Sequence, residues 1–436
     1  MSRSERALYD SGHVDVSRSI WTRGCDAHAH PLLEGEHGAD VAVIGAGLAG
    51  SSVALHLAEQ GARVALVEAH EPGWGASGRN AGHVVPYRDL DASLAKLPDG
   101  GEAFLSLLRE SGGIVYELAR KHGIECDAVQ GGYLQVAHRK PLLPAAEEKA
   151  ENWARRGFRL RFVDRSEVAK LTGSEAFHGG VLAENGGRVN PFRFTRGLAL
   201  AAQRAGAAVF ANSPVESAKA EGRRWRVATR CGSVLADRVV ACMNGYTTDA
   251  IPELARAWCP LVAFALATRP LPESIRPTLL PSGGSMSLLP TGFRPLIVDA
   301  QGRAISSLLP SSLRPQHPPL RWLEGWLWKV FPQTRDVELE LDAYWTGSMA
   351  WSTDFLPRIY EVAPGLLALT CFSGEGNVIA PLLGRHLAEA LAKDDLAGLA
   401  LPVQAPSVPR WRGRYDVTLR KLGVPMLGFA ERLGLF

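Results

Sequence analysis

No stretch of the sequence approaches the ~18 consecutive apolar residues that a membrane-spanning helix needs. The polar opening segment, residues 1–20, also lacks the apolar run of a secretory signal. Together these absences make the cytoplasm the expected compartment, with no integral membrane segment. The six cysteines (Cys25, Cys126, Cys231, Cys242, Cys259 and Cys371) include no C-x-x-C pair and no Cys/His spacing suited to zinc, so reduced thiols and no metal site are expected. Charge of one sign is missing as well. The 48 Lys and Arg residues against 45 Asp and Glu leave a net charge of +3, too small to mark a nucleic-acid partner. Internal repeats are absent.

What is present is ordinary globular composition, 46% hydrophobic and 21% charged, over 436 residues. One hydrophobic core usually stops growing at about 250–300 residues, so two interleaved domains are expected. Residues 1–37 are polar and aperiodic and read as an irregular leader. At Asp40 the pattern changes. Residues 41–44 suit a buried parallel strand, residues 48–60 a helix closed by Gly61, and residues 63–67 a second strand. Strand, glycine turn, helix and strand within about 30 residues make a βαβ unit. Further helices are expected over 103–122, 196–205 and 377–393, and strands over 132–137, 208–210 and 238–242. The Pro-, Gly- and Ser-rich stretch 258–345 suits a second domain built around a sheet.

Gly45-Ala46-Gly47-Leu48-Ala49-Gly50 is a G-x-G-x-x-G match placed between that strand and helix. In this context Gly45 makes the tight turn, Gly47 admits a pyrophosphate to backbone amides, and Gly50 lets helix and strand pack closely. The positive end of the helix then faces the phosphates. Glu68, closing the second strand, is placed to accept hydrogen bonds from a ribose and disfavours the extra phosphate of NADP. A ligand-free glycine turn is the plain alternative. The next segment favours FAD over NAD. From Glu71 to His83 the chain reads Glu-Pro-Gly-Trp-Gly-Ala-Ser-Gly-Arg-Asn-Ala-Gly-His, too rich in glycine for a good helix. It suits a run lying along a long cofactor, with Ser77, Arg79 and Asn80 offering donors; a surface loop is the competing reading.

These residues resemble the glycine oxidase and D-amino acid oxidase (DAO) family of FAD-dependent oxidoreductases, in particular its gamma-glutamylputrescine oxidoreductase-like branch. The segment Gly73-Trp74-Gly75-Ala76-Ser77-Gly78-Arg79-Asn80-Ala81-Gly82 carries the resemblance most specifically. Asn190-Pro191, Asn244-Gly245, Phe331-Pro332-Gln333, Trp345-Thr346-Gly347, Ser373-Gly374-Glu375-Gly376 and Arg432-Leu433-Gly434 extend it over nearly the whole chain. The resemblance implies an α/β fold, a Rossmann-type FAD-binding domain with an interleaved α+β substrate domain containing an antiparallel sheet. Residues 38–98, 190–257 and 341–400 would form the FAD-binding domain, 99–189 and 258–340 the substrate domain, and 401–436 a C-terminal tail.

By the same resemblance, Val215 touches adenine through its backbone, and Gly82, His83 and Val84 run beneath the isoalloxazine. Ala76, Asn244, Gly245, Ser373, Gly374, Gly376, Asn377 and Val378 join the cofactor set. The branch usually has Ser-Gly-His-Gly where this chain has Ser373-Gly374-Glu375-Gly376, and a glycine-rich run where it has Ala304-Ile305-Ser306-Ser307. Both departures fall on the substrate side and count against gamma-glutamylputrescine itself. Some relatives tether FAD through Cys or His at positions that align with Arg79 and Ser348, which implies noncovalent FAD here.

The implied reaction is hydride transfer from the carbon next to an amine nitrogen to flavin N5, giving an imine, on a small-molecule amine or amino-acid substrate, with oxygen as acceptor. Catalytic candidates are His83, as a hydrogen-bond partner or acceptor of the ammonium proton, and Glu375, to attract a cationic amine. A packing contact and a solvated residue at a helix N-terminus are their plainer readings. Substrate-side candidates are Arg294, as a carboxylate clamp, with Tyr246 and Trp345. Trp322 and Trp326, four apart, read as helix packing. Three alternatives stay open: a dehydrogenase passing electrons to a quinone or protein partner docked on Arg410, Arg412, Arg414, Arg420 and Lys421, a biosynthetic tailoring amine oxidase, and a non-catalytic flavoprotein subunit. Monomer and homodimer are both compatible with the sequence.

Overall fold

In the computed structural model, residues 19–25, 29–87, 90–290, 292, 294–308, 320–409, 423 and 426 are described. The basic tail residues named above and Arg432-Leu433-Gly434 lie outside them, as does most of the leader. The main elements in chain order are β1 (Gly35–Ile44), α1 (Leu48–Glu59), β2 (Val64–Val67), α2 (Pro191–Arg204), β3 (Ala208–Phe210), β4 (Gly232–Ala241), β5 (Cys259–Pro270), β6 (Arg303–Leu308), β7 (Leu341–Trp351), β8 (Leu366–Thr370) and α3 (Gly376–Ala392).

One sheet carries the parallel run β8-β4-β1-β2-β3. The last four residues of β1, Val41 to Ile44, are all buried because both faces of the strand are covered. Val41 and Val43 pack toward α1, α2 and α3, whereas Ala42 and Ile44 face the antiparallel hairpin Val215–Glu221 and Arg224–Thr229, with Trp225 and Val227 beneath them. Strand alternation thus sends successive residues into two separate cores. Each fully buried Leu or Val contributes about 1.5–3 kcal/mol, so neither face is dispensable. In α1 everything from Leu48 to Ala58 is buried, and its small residues admit α3 closely: a Cβ on Gly384 would sit 2.8 Å from Ala49 O.

The second sheet has eight strands, beginning β7-β5-β6 and continuing through Leu296–Val298, Ser285–Leu288, Tyr133–Val136, Gly179–Ala183 and Leu160–Asp164. Its pairings are antiparallel except one, Ser285–Leu288 against Tyr133–Val136, which is parallel. The expected antiparallel sheet is therefore mixed at its centre. The helix Leu320–Val330 covers it through Leu323, Trp326 and Leu327.

Three differences from the sequence reading have physical causes. Residues 341–351, grouped by sequence with the FAD-binding segments, form β7 and pair with β5 in the second sheet along their whole length. The leader is not wholly irregular: Ser19 Oγ accepts from Trp21 N to start a turn at Ile20–Thr22, Ile20 and Trp21 are buried, and β1 already begins at Gly35. The helix expected over 103–122 is two, Glu102–Arg109 and Ser111–Lys121. The break adjoins Gly112, where a Cβ would meet Pro86 Cβ at 2.4 Å. Among the described residues, no helix is long and apolar enough to cross a membrane.

Candidate functional site

A cavity of about 680 Å³ runs between the two sheets, from Glu68 and Val215 at one end to His83, Glu375 and the second sheet at the other. That volume falls in the range of ~300–1,000 Å³ typical of sites that bury most of a ligand. Its walls come from the glycine turn after β1, the loop after β2, the bend before α3, and the faces of β5, β6 and β7.

The glycine turn is built as the sequence requires. Gly45 sits at φ +97°, a conformation L side chains rarely adopt, and a Cβ on Gly50 would lie 1.9 Å from Gly45 O. The first turn of α1 therefore approaches the end of β1 more closely than any side chain permits. The two oxygens of Glu68 divide their work: Oε2 accepts from Ala46 N at 2.7 Å and Oε1 from His70 N at 3.0 Å. Burial is the largest influence on this carboxyl and raises its pKa, outweighing the backbone amides of His70, Ala46 and Ala69. Both oxygens retain lone pairs for further donors at the cavity end.

The loop after β2 is tied down on all sides. Ser77 Oγ accepts from Leu48 N at 2.9 Å, joining the loop to the N-terminus of α1. Arg79, nearly inaccessible to solvent, donates from Nε to Trp74 O and from Nη1 to Thr346 O, and its guanidinium lies 4.5 Å above the Trp74 ring. Asn80 and Asn377 bond through their side chains, and Asn377 Nδ2 also donates to His83 O at 2.9 Å. The loop thus meets the N-terminus of α3, whose first-turn amides at Gly376, Asn377 and Val378 have no acceptor within the helix.

His83 lines the cavity, yet both ring nitrogens are shielded and neither has a hydrogen-bond partner. Burial alone holds its imidazole down to about 4, so it is neutral at physiological pH. Tyr246 OH accepts from Ser348 N at 3.1 Å, its ring packs edge-on to Trp74, and burial raises its pKa. Asn244 Oδ1 accepts from Thr370 Oγ1 and Cys371 N, which fixes the end of β4 to the end of β8.

Most of the sequence-derived set converges here. Gly45, Gly47, Leu48, Ala49, Glu68, Ala76, Ser77, Arg79, Asn80, His83, Val215, Asn244, Gly245, Tyr246, Gly374, Glu375, Gly376, Asn377 and Val378 all line the cavity. Gly50, Gly82, Val84 and Ser373 stand behind the lining. Gly82 has Val189 O within 2.6 Å of where a Cβ would be, and Ser373 Oγ donates to Cys371 O.

Two substrate-side assignments need correction. Arg294 is not among the lining residues; its guanidinium lies 5.9 Å from the centre of the Trp326 ring, on the helix that covers the second sheet. Trp345 is 1% exposed and donates its indole N–H to Arg79 O, so it buttresses the cofactor loop from outside. On β7, Gly347, Ser348 and Met349 line the cavity, while Trp345, two residues along the strand from Gly347, lies under the loop in a buried cluster with Trp21 and Ala81. Ser307 of β6, in the run placed on the substrate side by sequence, also lines the cavity; missed residues include Ala263, Phe264 and Ala265 of β5, and Met349. Their apolar run gave a strand signal but no sign of which face meets a ligand.

Comparison with known proteins agrees with this architecture. Residues 40–390 match the DAO family model, described as FAD dependent oxidoreductase. Gamma-glutamylputrescine oxidoreductase of Escherichia coli strain K12 is 30% identical over 406 residues, covering 91% of this chain and 93% of that protein. The probable oxidoreductase OrdL of Haemophilus influenzae is 28% identical and covers 94% of this chain and 96% of its own. Among solved structures, glycine oxidase from Geobacillus kaustophilus superposes with a TM-score of 0.67 at 21% identity, over 84% of this chain and 97% of its own. L-proline dehydrogenase from P. horikoshii gives a TM-score of 0.68 at 19% identity, over 90% of this chain and 100% of its own. The chain belongs to the DAO family of FAD-dependent oxidoreductases. The site fits that cofactor: a glycine cradle at one end, two helix N-termini along its length, and an unpartnered buried imidazole at the other.

Proposed function

We propose that the chain oxidises a small amine or amino acid at the C–H next to nitrogen, with FAD held noncovalently in this cavity and oxygen as the final acceptor. When bound, FAD supplies the two-electron acceptor for the departing hydride. One observation carries the reading: a single cavity joins the glycine turn and Glu68 to the faces of β5, β6 and β7, so the same space has a dinucleotide end and a substrate end. The amine assignment draws on relatives named for gamma-glutamylputrescine and glycine.

The residues divide the work. Glu68 would hold a ribose, and the amides of Gly47 and Ala49 would face the pyrophosphate, the Leu48 amide being taken by Ser77 Oγ. The N-terminus of α3 would favour negative charge on a flavin held against it. Phe264 and Met349 exclude water from the reacting carbon, and Glu375 draws a cationic amine toward the cavity. His83 orients rather than deprotonates. Moving a proton from an alkylammonium of pKa about 10 onto an imidazole held near 4 runs uphill by about 8 kcal/mol, so His83 is not the acceptor and the ammonium loses its proton to solvent before the hydride leaves. Oxidation leaves an iminium, which water hydrolyses to a carbonyl and an amine. Cys242 cannot act as a thiolate tether, because burial pushes its pKa up to about 12 beside the glycine turn.

Oxygen uptake with peroxide formation, followed across polyamines, amino acids and cyclic amines, tests the reading. Amine-dependent uptake is expected. Turnover with a quinone but not with oxygen would make the protein a dehydrogenase, and flavin remaining with the acid-precipitated polypeptide would contradict noncovalent binding.

A further inference from the structure

The backbone that runs along the cavity from Arg79 to Gly82 is held from behind by two indoles from opposite ends of the chain. Trp345 Nε1 donates to Arg79 O at 2.7 Å, and Trp21 Nε1 donates to Asn80 O, the very next carbonyl, at 2.9 Å. The two rings meet edge to face, with centroids 6.4 Å apart and planes at 80°. A Cβ on Gly82 would be 3.3 Å from Trp21 Cζ2, so the indole lies directly against the loop. Ile20, Trp21 and Ala81 share one buried cluster with Ile297, Ile305 and Trp345 of the second sheet.

Trp21 itself is anchored. Asn190 Nδ2 donates to Trp21 O at 3.4 Å, and Arg23 pairs with Asp342 at 2.6 Å. Ile20, Trp21 and Arg23 all lie before residue 40, where the family match begins. Nothing in the flavin fingerprint calls for it.

We infer that Trp21 is a positioning residue for the cofactor: through Asn80 O it fixes the loop whose Asn80 side chain meets Asn377 at the opposite wall. The inference rests on FAD lying in the cavity as proposed above. It is independent of which amine reacts. Removing the indole N–H leaves Asn80 O buried without that donor and frees Asn80 to leave Asn377, which loosens both walls at once.

The test titrates FAD into FAD-depleted protein by flavin fluorescence and records the visible circular dichroism of bound flavin, for wild type, Trp21→Phe and Trp225→Phe. Trp225 donates an equivalent indole bond to Pro364 O, at 3.1 Å, and does not line the cavity. Trp21→Phe is expected to raise the FAD dissociation constant about tenfold (~1.4 kcal/mol) and to change the flavin dichroism. Trp225→Phe is expected to stay within about twofold of wild type with an unchanged spectrum. Equal shifts in the two variants, or wild-type binding by Trp21→Phe, would overturn the inference. If Trp21→Phe does not fold, Arg23→Ala serves: it releases an exposed anchor without opening the core and is expected to raise the constant two- to threefold, roughly the worth of one surface ion pair, and an unchanged constant would overturn the inference. Wild-type protein that fails to bind FAD would sink the cofactor placement and this inference together, whereas failure of every amine to react would leave it standing.

Discussion

Asn80 and Asn377 exchange their carboxamides head to tail, each Nδ2 donating to the other's Oδ1 at 2.8 Å across 297 residues of sequence. Asn80 also donates to Ser77 O and accepts from Gly82 N, while Asn377 donates to His83 O. Asn80 is therefore saturated and both Asn377 donors are engaged, and the loop along one wall of the cavity is registered to the helix at the other. Asn377→Asp replaces two donated bonds with a carboxylate facing the Asn80 and His83 oxygens. It is expected to cost about 2–4 kcal/mol of stability, read by denaturant unfolding, and to lower flavin content on purification.

Gly50→Ala tests the glycine turn without altering charge. Its Cβ would lie 1.9 Å from Gly45 O, a backbone atom that can yield only by opening the turn. The variant is expected to purify without bound flavin, whereas Gly38→Ala, where a Cβ meets nothing within 4 Å, keeps wild-type absorbance.

His83 sets a pH dependence whose sign follows from its lowered pKa. Above the ordinary imidazole value of about 6.5, folded and unfolded chains are both neutral there, and it contributes no slope. As pH falls from about 6.5 to about 4, the unfolded chain takes up a proton that the folded FAD-free protein refuses, and stability drops. About 1–3 kcal/mol should be lost over that window, less than the full linkage value because the residue keeps some surface toward the cavity. His83→Asn removes this contribution, and melting temperature against pH for the two FAD-free proteins measures the difference.

Arg294 and Phe264 distinguish the substrate end from its surroundings. Since Arg294 lies against Trp326 outside the lining, Arg294→Ala is expected to leave KM for any carboxylated amine within about twofold, below ~0.5 kcal/mol. Phe264 lines the cavity and stacks on Tyr344 with centroids 5.7 Å apart, so Phe264→Ala is expected to raise KM about tenfold or more. Steady-state kinetics on both variants reads the contrast.

The βαβ unit was legible because its chemistry is local: the period of β1 and α1, the glycine spacing and Glu68 all act within one short stretch. The cofactor loop was legible for a similar reason, its glycines excluding a helix. Trp345 and Arg294 were misplaced because an aromatic or a cation on a strand or turn says nothing of which face it takes until the partner strand is known. Here the fold lays the loop after β2 over Trp345, whose indole N–H is taken by Arg79 O. The Asn80–Asn377 bond and the Trp21 contact link distant segments, and no local pattern announces either. For Trp21 one signal existed, the apolar pair Ile20-Trp21 within an otherwise polar stretch.

Anaerobic titration of the purified protein with amines, read at the flavin absorbance, tests most directly whether one cavity holds FAD and presents it with an amine. The account predicts a yellow protein whose flavin band bleaches with at least one polyamine, amino acid or cyclic amine. A colourless protein that takes up no added FAD, or a bound flavin that no amine reduces while another class of substrate does, would contradict it.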